Sequence, residues 1–331
     1  MELESGRGEL LCSVDPDEFR EWVRDNKLDS KVMKSKVMSA EEAVRKFVHD
    51  GDYLAIGGTG VARGAIGLIM EIIRQNRKNL GLLCCMREYD IHYLINAGCV
   101  DRLDIGYSGM EYRGGSIRSR VMESKIRRGE IKVCEWTNGI TAWRMKAAAM
   151  GVPFIPVRSA LGTETFERSA GKVVQDPFTG KKVLLVPAAY ADVAIIHVHR
   201  CDEYGNVQVT GASNWDYYVA RASKRVIVST EEIIDVEDVR REPWRTIIPH
   251  FYVDAVVEMP YGSHPVDMPY KYWFDYPIID ELVEATTDEG KAQEFIEKYV
   301  LSVSSHEEYL DKIGGVKKLR YLERLARDVL R

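Results

Sequence analysis

An open, largely parallel α/β sheet with helices on both faces is the fold class this sequence predicts, and three observations carry that reading. The stretch 53–75 runs from a short apolar segment, Tyr53-Leu54-Ala55-Ile56, through Gly57-Gly58-Thr59-Gly60-Val61-Ala62-Arg63-Gly64, into Ile66, Ile69, Met70 and Ile73 at helical spacing. The same strand, loop, helix theme returns at 131–150, where Trp136-Thr137-Asn138-Gly139 is the turn. Further apolar runs at 81–86, 193–199, 224–229 and 253–259 read as buried strands with helices between them, the pattern of a parallel sheet.

Taken in order, residues 1–34 form a charged N-terminal arm in which Asp15-Pro16-Asp17-Glu18 opens a helix over 17–27. Residues 35–331 read as one α/β domain with a helical tail. Ser39 with Glu42 is a capping box for a helix over 40–49. After the strand at 81–86 come a helix at 91–97 and a strand at 102–107. A polar stretch at 108–116 then leads into a basic helix at 117–128. Residues 153–171 read as a loop, and 193–199 with 207–210 as strands, the latter returning in a hairpin through Asp202-Glu203-Tyr204-Gly205-Asn206. A helix at 215–223, a loop Pro260-Tyr261-Gly262-Ser263-His264-Pro265, and two terminal helices at 288–299 and 307–330 complete the chain.

Composition narrows the function classes. The 331 residues are 45% hydrophobic and 29% charged, with net charge −5, which carries no basic footprint for nucleic acid. No apolar run reaches the roughly 18 to 20 residues of a membrane span, and the N-terminus lacks a signal-peptide pattern, so a cytoplasmic location is expected. The six cysteines show no CxxC pair. Neither disulfides nor a zinc site is expected, and Cys84 and Cys85 read as small hydrophobes in a strand.

Several constellations are candidates for chemistry. Gly57, Gly58, Thr59 and Gly60 with Arg63 could present backbone N–H groups to an anionic or carbonyl-bearing ligand. A loose G-x-G-x-x-x-G also suits a dinucleotide, but the nearest acids, Glu88 and Asp90, stand some thirty residues past Gly58 rather than the roughly twenty such folds use, and a structural turn is favoured over that reading. Asn138 and Gly139 sit where an oxyanion donor belongs, although Asn138 as the cap of the following helix is the plainer expectation. His197 and His199 share a strand face with no convincing third metal ligand, and Glu231-Glu232 read as helix-start charges. Gly162-Thr163-Glu164 is either a carboxylate- or phosphate-binding loop or a polar surface turn.

The order of these landmarks resembles the α-type chains of family I CoA-transferases of the glutaconate type. The shared segments are Asp50-Gly51-Asp52 before Gly57-Gly58, Glu135-x-x-Asn138-Gly139, and the stretch from Ala147 through Gly151-Val152-Pro153-Phe154-x-Pro156. They continue with Asp192-Val193-Ala194-Ile195-Ile196-His197, Asp202-x-x-Gly205-Asn206, Glu231-Glu232-Ile233, Val253-Asp254-Ala255-Val256-Val257, Tyr261-Gly262-Ser263-His264-Pro265 and Glu307-Glu308-Tyr309-Leu310-Asp311-Lys312-Ile313-Gly314. The resemblance implies the CoA-transferase and sugar-phosphate-isomerase-like fold and a separate β subunit. It implies a coenzyme A thioester as substrate, with no tightly bound cofactor and no metal. In that family a glutamate of the β subunit attacks the acyl-CoA and becomes a glutamyl-CoA thioester before CoA passes to another carboxylic acid. The Ser-Glu-Asn-Gly nucleophile motif is missing from this chain, so activity is expected only with the partner. Many family members have Gln where this chain has Asn138. Asn138, Gly139 and the glycine loop would then stabilise an oxyanion, and Tyr107, Glu111, Gly162, Thr163 and Glu164 would contact substrate, as would Tyr89, Met110 and Arg113. A related branch opens a steroid ring hydrolytically and carries an acid near this point. Asn138 cannot serve as that base, although Glu135, Glu111 or Glu164 could substitute. A non-catalytic binder of acyl-CoA or sugar phosphate is the reading from outside enzymology.

Overall fold

A computed structural model describes residues 2–58 and 60–329. Seven strands form one sheet in which every neighbouring pair is parallel: β1 Tyr53–Ile56, β2 Leu80–Met86, β3 Val100–Tyr107, β4 Lys132–Glu135, β5 Ala191–Val198, β6 Ser223–Thr230 and β7 Ala255–Glu258. Their order across the sheet is β7-β6-β5-β1-β2-β3-β4. The chain builds outward from β1 to one edge, then returns to place β5 beside β1 and builds outward to the other. In a parallel sheet that reversal puts a crevice at the C-terminal ends of the two central strands.

The strands are apolar on both faces because helices cover both. Leu54, Ile56, Leu82, Val193, Ile195 and Ala255 face a core shared with the helix α1, Ile66–Arg74. Tyr53, Ala55, Leu83, Ala194, Ile196 and Val256 alternate with them. These face a second core under α2, Asn138–Met150, and α3, Asp216–Arg221. Alternation at the two-residue period thus assigns each strand residue to one of two cores.

A second, antiparallel sheet runs Glu2–Ser5, Lys172–Gln175, Lys182–Pro187, Phe154–Val157. Two expectations change here. The stretch 153–171, read as loop, contains the strand Phe154–Val157. Pro156 breaks its pattern, but a strand at the sheet edge tolerates a missing N–H. The first residues of the arm pair with Lys172–Gln175, and the arm's helix, Pro16–Asn26, is pinned to the body where Phe19 stacks on Tyr190 at 4.5 Å. The basic helix begins later than its composition suggests, at Arg120–Arg127. Gly115–Ile117 pairs instead with Met110–Tyr112 as a hairpin, and the Ser119 hydroxyl accepts the Met122 N–H to start the helix. The last helix is two, His306–Lys312 and Gly315–Val329, because Gly314 and Gly315 take positive φ angles between them.

Candidate active site

The loops that leave the C-terminal ends of the parallel strands carry most of the residues singled out by sequence, but they use them differently. At the central crevice between β1 and β5, the loop 57–64 is folded inward. A Cβ on Gly57 would lie 2.9 Å from the Ile196 side chain, and one on Gly58, at φ +79°, would lie 2.5 Å from the Arg63 carbonyl. The room that these glycines create is filled by the chain's own atoms. Arg63 is only 2% exposed; its guanidinium donates to Asp216 at 2.5 Å and to the Ala212 carbonyl at 3.2 Å. The other Asp216 oxygen accepts the Gly58 N–H at 2.7 Å. One buried carboxylate at the start of α3 therefore ties both ends of the loop, and the Arg63 charge is neutralised inside the fold. Thr59 lies outside the described residues. Gly60 donates its N–H to the Met86 carbonyl and approaches Glu88.

At β3 and β4 the edge is open. A groove of about 620 Å³ is floored by Leu103, Ile105, Met122 and Trp136 and reaches Tyr107, Glu135 and Arg168. Beside it α2 begins. The expected Asn138 cap is not formed, because Thr137 takes that role, its hydroxyl accepting the Ile140 N–H at 3.1 Å. Asn138 is thereby released as the first residue of the helix. Its Oδ1 is packed towards Gly106 without a partner, where a Cβ on Gly106 would come within 2.6 Å. Exposed Gly139 follows at the positive end of the helix.

The hairpin Met110–Tyr112 with Gly115–Ile117 reaches the groove through Ser116, while Glu111, Tyr112 and Arg113 line a second pocket with Tyr276. Glu88 accepts the Glu111 N–H at 2.8 Å, and Tyr89 donates to the Glu111 carbonyl, so the peptide is gripped from both directions. Tyr107 donates to the Glu111 carboxylate at 2.9 Å and shares a 2.7 Å bond with Ser116. Arg113 is paired with Asp280 at 2.7 Å and Met110 is fully buried. Burial pushes the Glu88 carboxyl above the usual carboxylate range; the Glu111 N–H it accepts and nearby Arg87 work against that rise, and the Glu111 and Asp90 charges add to it. Glu88 follows β2 as Gly57 follows β1, the positional signal that marks it as an edge residue. Gly162 is exposed; Thr163 caps the short helix Glu164–Glu167, and Glu164 is paired with Arg168 at 2.5 Å.

The remaining candidates are structural. Glu231 does not start a helix: it is buried, bonded to His197 at 2.8 Å, to the Tyr272 hydroxyl at 2.7 Å and to the Tyr261 N–H at 3.1 Å. Burial works to raise its carboxyl, but these donors outweigh it and hold the group below its ordinary value. His199 bonds to the Pro269 carbonyl, and among the described residues no cluster of three metal-ligating side chains occurs. Cys12, Cys85, Cys99, Cys134 and Cys201 are buried free thiols. Among the described residues, no helix is long and apolar enough to cross a membrane.

Comparison with known proteins identifies the family and agrees with the fold. Residues 37–259 match the sequence model of the coenzyme A transferase family. The A-type chain of glutaconate CoA-transferase from Acidaminococcus fermentans is 31% identical over 300 residues, covering 86% of this chain and 93% of that protein. The crystal structure of that enzyme superposes with a TM-score of 0.83 over 87% of this chain and 96% of the other. The decarboxylase AibA/AibB, also 31% identical, matches with a TM-score of 0.71 over 80% of this chain and 98% of that one. With its seven-stranded parallel sheet and these relatives, the chain belongs to the coenzyme A transferase family and is one of its A-type chains.

Proposed function

We propose that this chain works with a β subunit to move CoA between short or medium carboxylic acids, and that its Asn138 amide and Gly139 N–H receive the oxyanion formed at a thioester carbonyl. The observation that carries the reading is the displaced cap: Thr137 closes the helix, which leaves Asn138 and the helix end unengaged beside an open groove. A glutamate of the partner attacks the acyl-CoA carbonyl, negative charge collects on the carbonyl oxygen, and the CoA thiolate leaves an acyl-glutamyl anhydride. The thiolate then attacks the glutamyl carbonyl, releasing the first acid and forming a glutamyl-CoA thioester, which the second carboxylate attacks in turn. Fixed donors aimed at the oxyanion are the contribution this chain is suited to make.

In this reading Tyr107 and Glu111 line the acyl side, the turn at Gly162, Thr163 and Glu164 borders the groove, and Gly60 backs the site. Arg63, Gly57 and Gly58 contribute by holding its centre together. A hydrolytic reaction needs a carboxylate free to take a proton from water. Glu135 and Glu164 are both paired with Arg168, and Glu111 with Tyr107, so transfer is better supported. The test co-expresses the chain with its β partner and measures CoA exchange between an acyl-CoA and a free acid. A borohydride-sensitive glutamyl thioester in the partner is expected; release of free CoA without exchange would replace transfer by hydrolysis.

A further inference from the structure

Helix α2 is held in place by a buried arginine that the proposed chemistry does not use. Arg144 lies six residues beyond Asn138, about 9 Å along the helix axis, and is fully buried. Its guanidinium meets four separate stretches of the chain. Nη1 donates to the Asp104 carboxylate on β3, Nε donates to the Pro187 carbonyl at 3.0 Å, and Nη2 donates to the Cys12 sulfur of the N-terminal arm at 3.2 Å. The same group lies over the Trp136 ring, 4.1 Å from its centre. Burial pushes the Cys12 thiol well above its ordinary value, so it meets the guanidinium as a neutral acceptor, and Asp104 balances the charge. A buried ion pair is commonly no more stabilising than apolar side chains of the same volume. What this one adds is direction, because the donors of a rigid planar fork each point to a different segment.

Two points near the start of α2 are fixed through this group. Asp104 stands two residues before Gly106, where a Cβ would lie 2.7 Å from the Asn138 backbone. Trp136, which lines the groove, stands two residues before Asn138. The arm completes the hold. It precedes the stretch matched by the family, and its contribution is read from its own contacts. Tyr190 donates its N–H to the Ser13 carbonyl at 3.0 Å, stacks on Phe19, and donates its hydroxyl to the Ala148 carbonyl at 3.2 Å. Arg20 donates to the Gly151 carbonyl at 3.0 Å. The arm therefore touches α2 at its middle and braces its last turn.

We propose that Arg144 is a positioning residue for the oxyanion site, and that the N-terminal arm takes part in that site by holding Arg144 through Cys12. The inference rests on the reading of Asn138 and Gly139 given above. Arg144 and Cys12 act through α2. The guanidinium sets where the helix starts, and the start of the helix sets where the Asn138 amide and the Gly139 N–H stand. A small shift of α2 leaves the fold intact and moves both donors off the developing charge, so the loss falls on kcat rather than on substrate binding.

The test uses the full chain assembled with its β partner. Arg144→Met would strand the Asp104 carboxylate, so the variants are Arg144→Lys, which keeps the charge and loses the fork, and Cys12→Ala, which removes only the acceptor on the arm. Arg144→Lys is expected to lower kcat by roughly tenfold to a hundredfold and Cys12→Ala by about fivefold, with KM for the acyl-CoA within about twofold of native. Cys12→Ser returns an acceptor to the arm and should restore kcat. Amide hydrogen exchange of the free chain needs no turnover: it should quicken over 138–144 in Cys12→Ala and stay unchanged over 66–74, on the opposite face of the sheet. A native kcat in Cys12→Ala, a loss confined to KM, a defect that Cys12→Ser does not restore, or unaltered exchange over 138–144 overturns the proposal. If Arg144→Lys fails to fold, the two Cys12 variants decide it. A native complex that transfers no CoA, with exchange over 138–144 still faster in Cys12→Ala, removes the catalytic reading and leaves the hold of the arm on α2 standing.

Discussion

The two strand–loop–helix units at β1 and β4 share one design and have opposite fates. At β1 the loop curls over its own arginine, Asp216 closes it from α3, and the crevice where the sheet reverses direction is plugged. At β4 the turn is short, Thr137 supplies the cap, and Asn138 with Gly139 follows two residues after Trp136, which lines the groove. The glycine cluster is the more conspicuous in sequence, yet its glycines serve close packing against Ile196 and Arg63. The difference teaches that a glycine-rich turn after a parallel strand marks where backbone must pass closely. Whether it meets a ligand depends on what the rest of the chain puts in the space.

The largest effect expected from this contrast is on stability at the plugged crevice. Arg63→Met leaves the Asp216 carboxylate buried without its partner, and such a loss costs about 3–5 kcal/mol. Urea unfolding of the isolated chain should show it, with the unfolding midpoint falling sharply. If Arg63 instead met substrate, the variant would keep its stability and lose only activity. At the open edge the order reverses. Asn138→Ala should lower kcat of the assembled complex by about 10²–10³, the range for removal of one oxyanion donor, while changing the unfolding free energy by less than about 1 kcal/mol. Gly106→Ala makes the same test from the neighbouring strand: its methyl group would lie 2.6 Å from the Asn138 amide oxygen and 2.7 Å from its backbone, and by displacing the amide should reproduce the kcat defect.

The crevice should also make stability depend on pH in a way the open edge does not. His199 is 3% exposed beside it, and burial pushes its imidazole down to about 4 from 6.5. Its folded value lies below its unfolded one, so protons bind the unfolded chain first as pH falls. The stabilisation is complete above about pH 6.5 and is lost between there and about pH 4, by up to about 3 kcal/mol. Asp267, bridged through its backbone to Ala62, has the opposite sign. Burial pushes its carboxyl up to about 7, so it destabilises as pH rises from the ordinary carboxylate range towards 7. His199→Asn should flatten the acid limb of a stability profile measured in urea, and Asp267→Asn the neutral limb. Neither should change the profile of Asn138→Ala relative to the native chain.

Much of this arrangement was legible in the residues alone. Apolar runs separated by helices pointed to the parallel sheet, since a strand buried on both faces has no polar positions to alternate with. The turn at 136–139 was recognisable because strand, turn and helix are local. What stayed hidden depends on distant pairs. Nothing near Arg63 announces Asp216, so the arginine read as a ligand contact. The His197, Glu231 and Tyr272 network joins three separate segments, so Glu231 read as a helix-start charge. The strand Phe154–Val157 was masked by Pro156, whose cost vanishes only at an edge that sequence does not reveal. Glu88 was seen only as a mistimed dinucleotide acid, because its grip on the Glu111 peptide exists only once the hairpin folds back.

The subtlest test of the comparison concerns the cap itself. If Thr137 frees Asn138 by satisfying the start of α2, then Thr137→Ala forces a choice on the local backbone. The Ile140 N–H loses its acceptor, at a cost of about 1 kcal/mol, and the Asn138 side chain becomes the nearest replacement. Stability should therefore fall by less than a full cap is worth, while kcat falls because the amide has been recruited to the helix. Thr137→Ser keeps an acceptor at the same place and should restore both. A full loss of stability with kcat unaltered would mean that Asn138 neither caps nor reacts. The two loops would then differ only in packing, and the donor for the oxyanion would have to come from the partner.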